Sequence, residues 1–109
     1  MPKTSFSGFA WDDGNRRKCQ KHGVQITEIE YVLAHAETLV VPDPKNMQVE
    51  ARFLAIGRTE KGHYTFVVFT PRQSGRATLL RPISARYMHR REIRKYEQEI
   101  ARVQKRQRG

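Results

Sequence analysis

Apolar and polar positions recur with two different periods along this chain, and each period predicts a different kind of element. Helical spacing begins after Asp12, so that segment is expected to form a short helix. One face of this helix would carry Trp11, Asn15, Cys19 and His22. Gly23 stands where a left-handed C-terminal cap belongs, which places Lys21 and His22 in the last helical turn.

A second helix is expected to begin at Thr27. Thr27 and Glu30 have the spacing of a capping box, in which each side chain satisfies a backbone N–H of the other residue. Ile26 and Tyr31 are placed as the matching hydrophobic staple. The apolar stripe of this helix would consist of Ile29, Val32, Leu33 and Ala36.

The middle of the chain has the composition of β-strands. Runs rich in apolar, β-branched and aromatic residues cover 39–41, 52–58, 64–70 and 77–86. Turn signals separate them, including Pro42, a turn at 60–62 and a loop with Pro71 and Gly75. Such short connections predict antiparallel neighbours. Pro82 interrupts the last run and indicates an edge position or a β-bulge.

The two ends of the chain complete the predicted fold. Residues 6–12 suggest a short strand or an extended arm. From Met88 the tail is helical, with a narrow apolar stripe of Ile93, Tyr96, Ile100 and Val103. The expected fold class is α+β: two N-terminal helices, a small antiparallel meander sheet of three to four strands, and a C-terminal helix. We expect a single domain over 1–109, with a basic helical extension from about residue 98.

Composition adds little to this fold but narrows the setting of the protein. A chain of 109 residues fits one domain. One cysteine excludes an internal disulfide. The sequence has no apolar run of the roughly 20 residues that span a membrane, and its first residues lack the apolar block of a secretory signal. A cytoplasmic protein is the expectation.

Charge is the most informative property of the composition. Twenty-one Lys and Arg against 11 Asp and Glu give a net charge of +10. No acidic residue lies between Glu60 and Glu92, whereas seven cations do: Lys61, Arg72, Arg76, Arg81, Arg86, Arg90 and Arg91. Such a surface suits a polyanion, most simply RNA. A basic solvated face without a ligand is the alternative, and a membrane surface is disfavoured because no single amphipathic helix gathers the cations.

Several short motifs resemble one known family. They are Trp11-Asp12, Lys21-His22-Gly23-Val24, Pro42-Asp43-Pro44, Glu50-Ala51-Arg52-Phe53 with Ile56-Gly57, and Ile83-Ser84-Ala85-Arg86 with Arg90-Arg91-Glu92 and Tyr96. Their order and spacing resemble the BrnT family over residues 9–97. Three positions depart from the usual pattern: Asn15 stands where Lys is common, Cys19 where Asn is common, and Pro82 where an aliphatic residue is common.

The resemblance implies a RelE-like fold and a ribonuclease toxin of a type II toxin–antitoxin pair. Such a toxin would cleave mRNA without a metal or other cofactor and thereby arrest translation. A BrnA-like ribbon-helix-helix antitoxin would neutralise it, with the toxin dimeric in the antitoxin complex.

Metal-free RNA cleavage needs a base for the 2′-hydroxyl, cations for the phosphorane and an acid for the leaving oxygen. Histidine side chains ordinarily titrate near working pH, so His22 is a candidate acid or base, or a structural residue at a helix end. Glu50 and Arg52 lie two apart on a predicted strand, as a base with its phosphate clamp or as a plain salt bridge. Arg86 completes the candidate catalytic set. Whether His22 or Glu50 is the base stays open.

The remaining candidates are residues that would bind RNA phosphates or bases. They are Lys21, Arg72, Arg81, Arg90 and Tyr96. Arginine suits this role because its planar fork matches phosphate oxygens. Lys21 could instead be a solvated lysine near a helix end, and Tyr96 could belong to the helix packing. The histidines and Cys19 lack zinc-ligand spacing, and Cys19 on the inner helix face is expected to be a small buried hydrophobe.

Three hypotheses remain for the whole protein. The first is an endoribonuclease toxin, the second a non-catalytic RNA- or DNA-binding protein, and the third an interaction module whose arginines receive an acidic partner segment.

Overall fold

The computed structural model describes residues 6–43 and 50–108, which form three helices and one five-stranded sheet. In chain order the elements are β1 (Gly8–Phe9), α1 (Asp13–Gln20), α2 (Ile26–Ala34), β2 (Leu39–Pro42), β3 (Phe53–Arg58), β4 (Tyr64–Ser74), β5 (Ala77–Tyr87) and α3 (Arg90–Arg108). This arrangement confirms the α+β class. The motif residue Pro44 and the side chain of Val103 lie outside the described residues.

The sheet has the strand order β1-β5-β4-β3-β2. Strands β2 to β5 form the predicted antiparallel meander. The expectation of three to four antiparallel strands was nevertheless wrong, because β1 precedes the helices and joins β5 in parallel. Backbone hydrogen bonds from Ser7 N to Thr78 O (2.8 Å) and from Ala10 N to Leu80 O (2.9 Å) extend this pairing. The sheet is therefore mixed, and β5 lies inside it.

Helix α1 begins at the position that the sequence indicates but ends earlier. Asp12 is the N-cap, and Asp12 and Asn15 each accept the other's backbone N–H. Gly23 has a φ of 91°, which confirms the left-handed position. The helix ends at Gln20, however, so the placement of Lys21 and His22 in its last turn was wrong. Both residues are exposed in the connection to α2.

Helix α2 begins one residue before the sequence prediction. Gln25 is its N-cap, and the Glu28 carboxylate accepts the Gln25 N–H at 2.9 Å. Thr27 consequently lies within the first turn instead of capping it. The buried stripe of Ile29, Val32 and Leu33 is confirmed. Ala36 does not belong to it, because the helix ends at Ala34 and Ala36 is exposed.

The β4–β5 hairpin is longer than expected because Pro71 does not end β4. Pro71 pairs with Leu80 within the ladder, and the turn falls at Gly75, which has a φ of 61°. The register shifts between Val68 and Phe69, so that Phe69 faces Pro82 while Val68 faces Ser84. This confirms the β-bulge at Pro82. β5 is not the edge strand of the sheet, but β1 pairs only with Leu79 and Leu80, so among the described residues no strand lies beside Pro82 on that side.

Helices α1 and α2 pack on one face of the sheet and enclose the core with it. The fully or almost fully buried apolar side chains include Cys19, Val24, Ile29, Leu33, Val67, Phe69 and Leu80. Burial of Cys19 confirms the expectation of a small buried hydrophobe. Helix α3 begins at Arg90, two residues later than expected, because Met88 still bonds its N–H to Tyr64 O at 2.9 Å. Among residues 6–43 and 50–108, no helix is long and apolar enough to cross a membrane.

Candidate nucleic-acid interface

The sheet face turned away from α1 and α2 carries four arginines that the sequence singled out, two as phosphate ligands and two as catalytic residues. Paired positions of an antiparallel ladder share a face, and positions two or four apart on one strand do as well. Phe66 pairs with Arg86, and Thr70 pairs with Arg81, so both arginines lie on the same face. The arginines of this surface are Arg52, Arg58, Arg72, Arg81 and Arg86, and we call it the arginine face.

Between these arginines the face is apolar. Leu54 and Ile56 of β3 and Phe66 and Val68 of β4 alternate with the buried residues of their strands and are only partly covered. Side chains with flat or branched apolar surfaces, flanked by guanidinium groups, can hold nucleobases while the cations contact phosphates. The composition of the arginine face therefore suits a single-stranded nucleic acid.

Glu50, Arg52 and Arg72 form one cluster at the end of this face. Glu50 Oε1 lies 3.4 Å from Arg52 Nη2, and Glu50 Oε2 lies 3.6 Å from Arg72 Nη2. Both Glu50 and Arg52 precede β3 instead of lying on it as predicted, but their side chains do lie together. Arg72 is half exposed, at 51%, and Glu50 is 32% exposed. These long contacts leave the carboxylate and one guanidinium accessible to a ligand.

The segment that carries Glu50 is held against the sheet by hydrogen bonds to its backbone carbonyls. Thr70 Oγ1 donates to the carbonyl of Ala51 at 2.6 Å, and Asp43 N donates to the carbonyl of Arg52 at 2.9 Å. These bonds position the Glu50 cluster relative to β4.

Arg81 is paired with the N-cap of α1. Its Nη2 lies 2.8 Å from Asp12 Oδ2, and the Arg81 side chain is 24% exposed. The backbone N–H of Asn15 and the Arg81 guanidinium lower the pKa of Asp12. Arg81 is a diagonal neighbour of Arg72, which pairs with Leu79 on the same two strands. Arg81, a predicted phosphate-binding residue, therefore lies near the Glu50 cluster, and one side of its guanidinium is paired with Asp12.

Arg86 is the most strongly engaged of the five arginines. Its Nη1 and Nη2 donate to the two carboxylate oxygens of Glu92, each at 2.8 Å, and its Cζ lies 4.7 Å from the Phe66 ring centroid. The Arg86 hydrogen bonds and the His89 N–H lower the pKa of Glu92 to about 2, and Glu92 in turn raises the pKa of Arg86. This bidentate pair fastens the first turn of α3 to the sheet.

Arg58 belongs to the same face and was not singled out from the sequence. Its Cζ lies 5.3 Å from the Tyr64 ring centroid, and no acidic partner approaches it within the described part of the chain. The two-residue alternation of 52, 54, 56 and 58 along β3 is the signal that could have identified it. Among the described residues, Arg58 is therefore the arginine of this face without a carboxylate partner.

The predicted acid or base His22 does not lie beside Glu50. The following residue, Gly23, accepts a 3.5 Å hydrogen bond from the Tyr87 hydroxyl, which places Lys21 and His22 near the end of β5. Phe53 pairs with Phe69 at one end of the meander, and Thr65 pairs with Tyr87 at the other. Four residues along β4 correspond to about 13 Å. The four predicted catalytic residues are thus divided between the two ends of the sheet.

The last two predicted RNA contacts belong to α3. Arg90, its first residue, is exposed. The Tyr96 ring packs edge-on against Tyr64 with centroids 5.7 Å apart, and Tyr64 OH donates to Glu97 at 3.4 Å. Burial raises the pKa of Tyr96. Tyr96 therefore contributes to the attachment of α3 and is half-buried, as its place on the apolar stripe indicates.

A second group of polar side chains lies at the His22 end and was missed by the sequence analysis. Tyr87 OH donates to Glu28 Oε1 at 2.7 Å, and the His63 ring packs edge-on against Tyr87 at 5.6 Å. The hydrogen bond to Glu28 and partial burial raise the pKa of Tyr87 to about 12. These residues come from three distant segments, so no local spacing could have identified them. Within 6–43 and 50–108, no three His, Cys, Asp or Glu residues are placed to hold a metal ion.

These features describe a small basic α+β protein with an arginine-rich sheet face. Such a surface is typical of nucleic-acid-binding proteins. The family model described as "Ribonuclease toxin, BrnT, of type II toxin-antitoxin system" matches residues 11–92, or 82 of the 109 residues. The chain belongs to this family, and the resemblance noted from its motifs is confirmed. Membership implies an RNA substrate and an antitoxin partner. No relative was found among curated proteins.

Proposed function

We propose that this protein is a metal-independent endoribonuclease that cleaves mRNA and arrests translation, with its centre at the Glu50 cluster. The observation that carries this proposal is the contact of one accessible carboxylate with two guanidinium groups. A carboxylate can accept the proton of the attacking 2′-hydroxyl, and two arginines can stabilise the charge of the phosphorane. Glu50 supplies the proton acceptor, and Arg52 and Arg72 supply the two cations.

The reaction follows from these positions. The 2′-oxygen attacks the adjacent phosphorus while Glu50 takes its proton, and the bond to the 5′-oxygen breaks to leave a 2′,3′-cyclic phosphate and a 5′-hydroxyl. Arg52 and Arg72 exchange their contacts with Glu50 for contacts with the phosphate oxygens. Water protonates the 5′-oxygen, because His22 lies toward the other end of the sheet.

The rest of the arginine face would hold the RNA on either side of this centre. Arg81 lies diagonally from Arg72, and Arg58 and Arg86 extend the cationic surface toward α3. Arg90 and Lys21 are exposed near that end and are proposed as outer phosphate contacts. The half-buried Leu54, Ile56, Phe66 and Val68 would support the bases.

We further propose an architecture, a partner and a place of action for this protein. The antiparallel meander β2–β5, with α1 and α2 on one face, supports a RelE-like architecture. The arginine face would be covered by a BrnA-like ribbon-helix-helix antitoxin, in a complex with a dimeric toxin, since covering this face excludes RNA. The proposed place of action is the cytoplasm, where mRNA is translated.

Cleavage of single-stranded RNA in EDTA tests the proposal. Wild-type protein should produce 2′,3′-cyclic phosphate ends, and Glu50→Gln should lower the rate by about a hundredfold or more while RNA binding is kept. Glu99→Gln, the same chemical change on exposed α3, is the matched control and should cleave normally. Addition to an in-vitro translation mixture measures the arrest.

The other hypotheses predict different results. RNA that is bound but left intact by wild-type protein would make this chain a non-catalytic binder, and cleavage that requires Mg²⁺ would overturn metal independence. A His22→Ala variant should cleave at an unchanged rate, because water supplies the proton in this mechanism, and a large loss of rate would contradict that step. Failure of any RNA to bind would leave the acidic partner segment as the ligand of the arginine face.

A further inference from the structure

A cavity of about 280 Å³ lies between the first turn of α2 and the β3–β4 turn. It is separate from the Glu50 cluster and takes no part in the proposed cleavage step. Its charged and aromatic lining residues are Glu28, Tyr31, Glu60, Lys61, His63 and Tyr87. Its size is near the lower end of the range for small-molecule sites, so a single flat ring system is the suitable occupant.

Glu28 presents one open carboxylate oxygen at this cavity. Its Oε1 accepts from Gln25 N at 2.9 Å and from Tyr87 OH at 2.7 Å, whereas no described residue donates to Oε2. Partial burial opposes ionisation, but the hydrogen bonds from Gln25 and Tyr87, with the nearby His63 and Lys61, lower the pKa of Glu28. At neutral pH the Glu28 carboxylate is therefore charged, and its Oε2 is open to accept a hydrogen bond. The two donors to Oε1 hold the carboxylate in place.

Aromatic rings form the other walls of the cavity. The His63 ring is held edge-on against Tyr87 at 5.6 Å, and Tyr31 is exposed on the next turn of α2 after Glu28. Aromatic surfaces of this kind stack nucleobases in single-stranded RNA. Lys61, exposed at the rim, supplies a cation for the phosphate of a bound nucleotide.

We propose that this cavity is a nucleobase subsite that prefers guanine. Guanine presents two neighbouring donors, N1–H and the N2 amino group, on its Watson–Crick edge. Cytosine and adenine present one donor beside an acceptor, and uracil presents one donor between two acceptors. A carboxylate only accepts hydrogen bonds, so it repels neighbouring acceptors and selects the guanine edge.

The inference rests on the proposed RNA substrate and adds a sequence preference to it. Tyr87 follows Arg86 on β5, and alternate residues of a strand face opposite sides of the sheet. An RNA that leaves the arginine face at Arg86 would therefore reach the cavity by passing over the end of β5. A guanine held there lies several nucleotides from the phosphate at Glu50.

Glu28→Gln is the informative variant because it changes only the open atom. The amide oxygen still accepts from Gln25 N and Tyr87 OH, but the amide nitrogen replaces Oε2 and donates instead of accepting. The experiment measures binding of a uridine decamer and of the same decamer with one guanosine, both 2′-O-methylated so that no 2′-hydroxyl is available for cleavage. Wild type and the control Glu99→Gln should bind the guanosine-containing RNA about tenfold more tightly.

Glu28→Gln should lose this preference, to within about twofold, while its affinity for the uridine decamer and its Tm stay unchanged. Equal affinities of wild type for the two RNAs, or a preference that survives in Glu28→Gln, would overturn the inference and leave the proposed function intact. If neither RNA binds, the proposed function fails instead. A parallel titration with GMP and UMP then tests the cavity alone, and the absence of GMP-specific amide shifts at residues 59–63 overturns the subsite.

Discussion

Asn15 is expected to be one of the most important polar residues for stability. It is 5% exposed, and its side chain makes three hydrogen bonds. Its Oδ1 accepts from Asp12 N at 2.7 Å, and its Nδ2 donates to Ala10 O at 3.0 Å and to Pro82 O at 2.8 Å. One amide thus connects the N-cap of α1, the end of β1 and the bulge of β5.

Asn15→Ala removes all three bonds and leaves the carbonyl of Pro82 buried without this donor. At about 1 kcal/mol for each lost bond, the free energy of unfolding should fall by about 3 kcal/mol. For a domain of this size, that loss corresponds to a fall in Tm of roughly 12 °C or more. The loss is a large fraction of the stability of a typical domain, about 5–15 kcal/mol.

Asn15→Asp separates the donor from the acceptor function. It keeps Oδ1 but places a carboxylate oxygen against two carbonyl oxygens, so at neutral pH it should destabilise at least as much as Asn15→Ala. Protonation supplies an O–H donor, and Asn15→Asp should regain stability relative to Asn15→Ala as the pH falls toward 4.

Urea denaturation followed by circular dichroism measures these differences, with Lys18→Ala as the control. Lys18 is exposed on the same helix, so its replacement should change the free energy of unfolding by less than about 0.5 kcal/mol. A value below about 1 kcal/mol for Asn15→Ala, or no pH dependence of the Asn15→Asp difference, would show that these bonds do not carry the assigned energy.

Three further outcomes are expected. Arg86 and the His89 N–H lower the pKa of Glu92 from 4.5 to about 2. The stability that the Arg86–Glu92 pair contributes is therefore present above pH 4.5 and is lost as the pH falls toward 2. The chemical shifts of Tyr96 in α3 should report this acid step in wild type, and Glu92→Gln should lack it. The logarithm of RNA affinity should fall linearly with the logarithm of salt concentration. Arg58→Ala should make this line less steep by about 0.7 for single-stranded RNA. A slope equal to that of wild type would exclude a phosphate contact at Arg58. Burial raises the pKa of the Cys19 thiol to about 11, so Cys19 should react with a thiol reagent at pH 7.5 only after denaturation, and rapid labelling of the native protein would contradict its buried position.

The parts of the fold that were predictable are those with local causes. The stripe of Ile29, Val32 and Leu33 follows from helical spacing. The left-handed Gly23 and the bulge at Pro82 follow from the conformational limits of single residues. Each of these signals is contained within one element, so the sequence carries it without knowledge of the tertiary structure.

The missed features depend on contacts between distant segments. A strand of two residues such as β1 has no periodicity, and only its pairing with β5 defines it. The start of α2 was misplaced because Gln25 and Glu28 satisfy the same capping role as the expected Thr27 and Glu30. The Tyr87–Glu28 bond joins residues 59 positions apart.

The sequence singled out individual arginines but not their grouping. Arg72, Arg81 and Arg86 were chosen from the sequence, yet only the strand register shows that they share a face. Arg52, also chosen from the sequence, joins them through the contacts of Glu50 with Arg52 and Arg72. Two of the three departures from the family pattern, Asn15 and Pro82, are in direct contact at 2.8 Å. A substitution at one of these positions should therefore be judged together with the residue at the other.

The bulge in β5 also decides whether Arg81 and Arg86 lie on the same side of the sheet. In an unbroken strand, residues five apart such as Arg81 and Arg86 point to opposite sides. Phe69 and Val68 are consecutive on β4, but their partners on β5, Pro82 and Ser84, are two residues apart. The additional residue, Ile83, places Arg81 and Arg86 on the same side of the sheet. Deletion of Ile83 would keep every charged residue of the protein and still separate Arg81 from Arg86. The length of this short segment is thus as much a determinant of the arginine face as the arginines themselves.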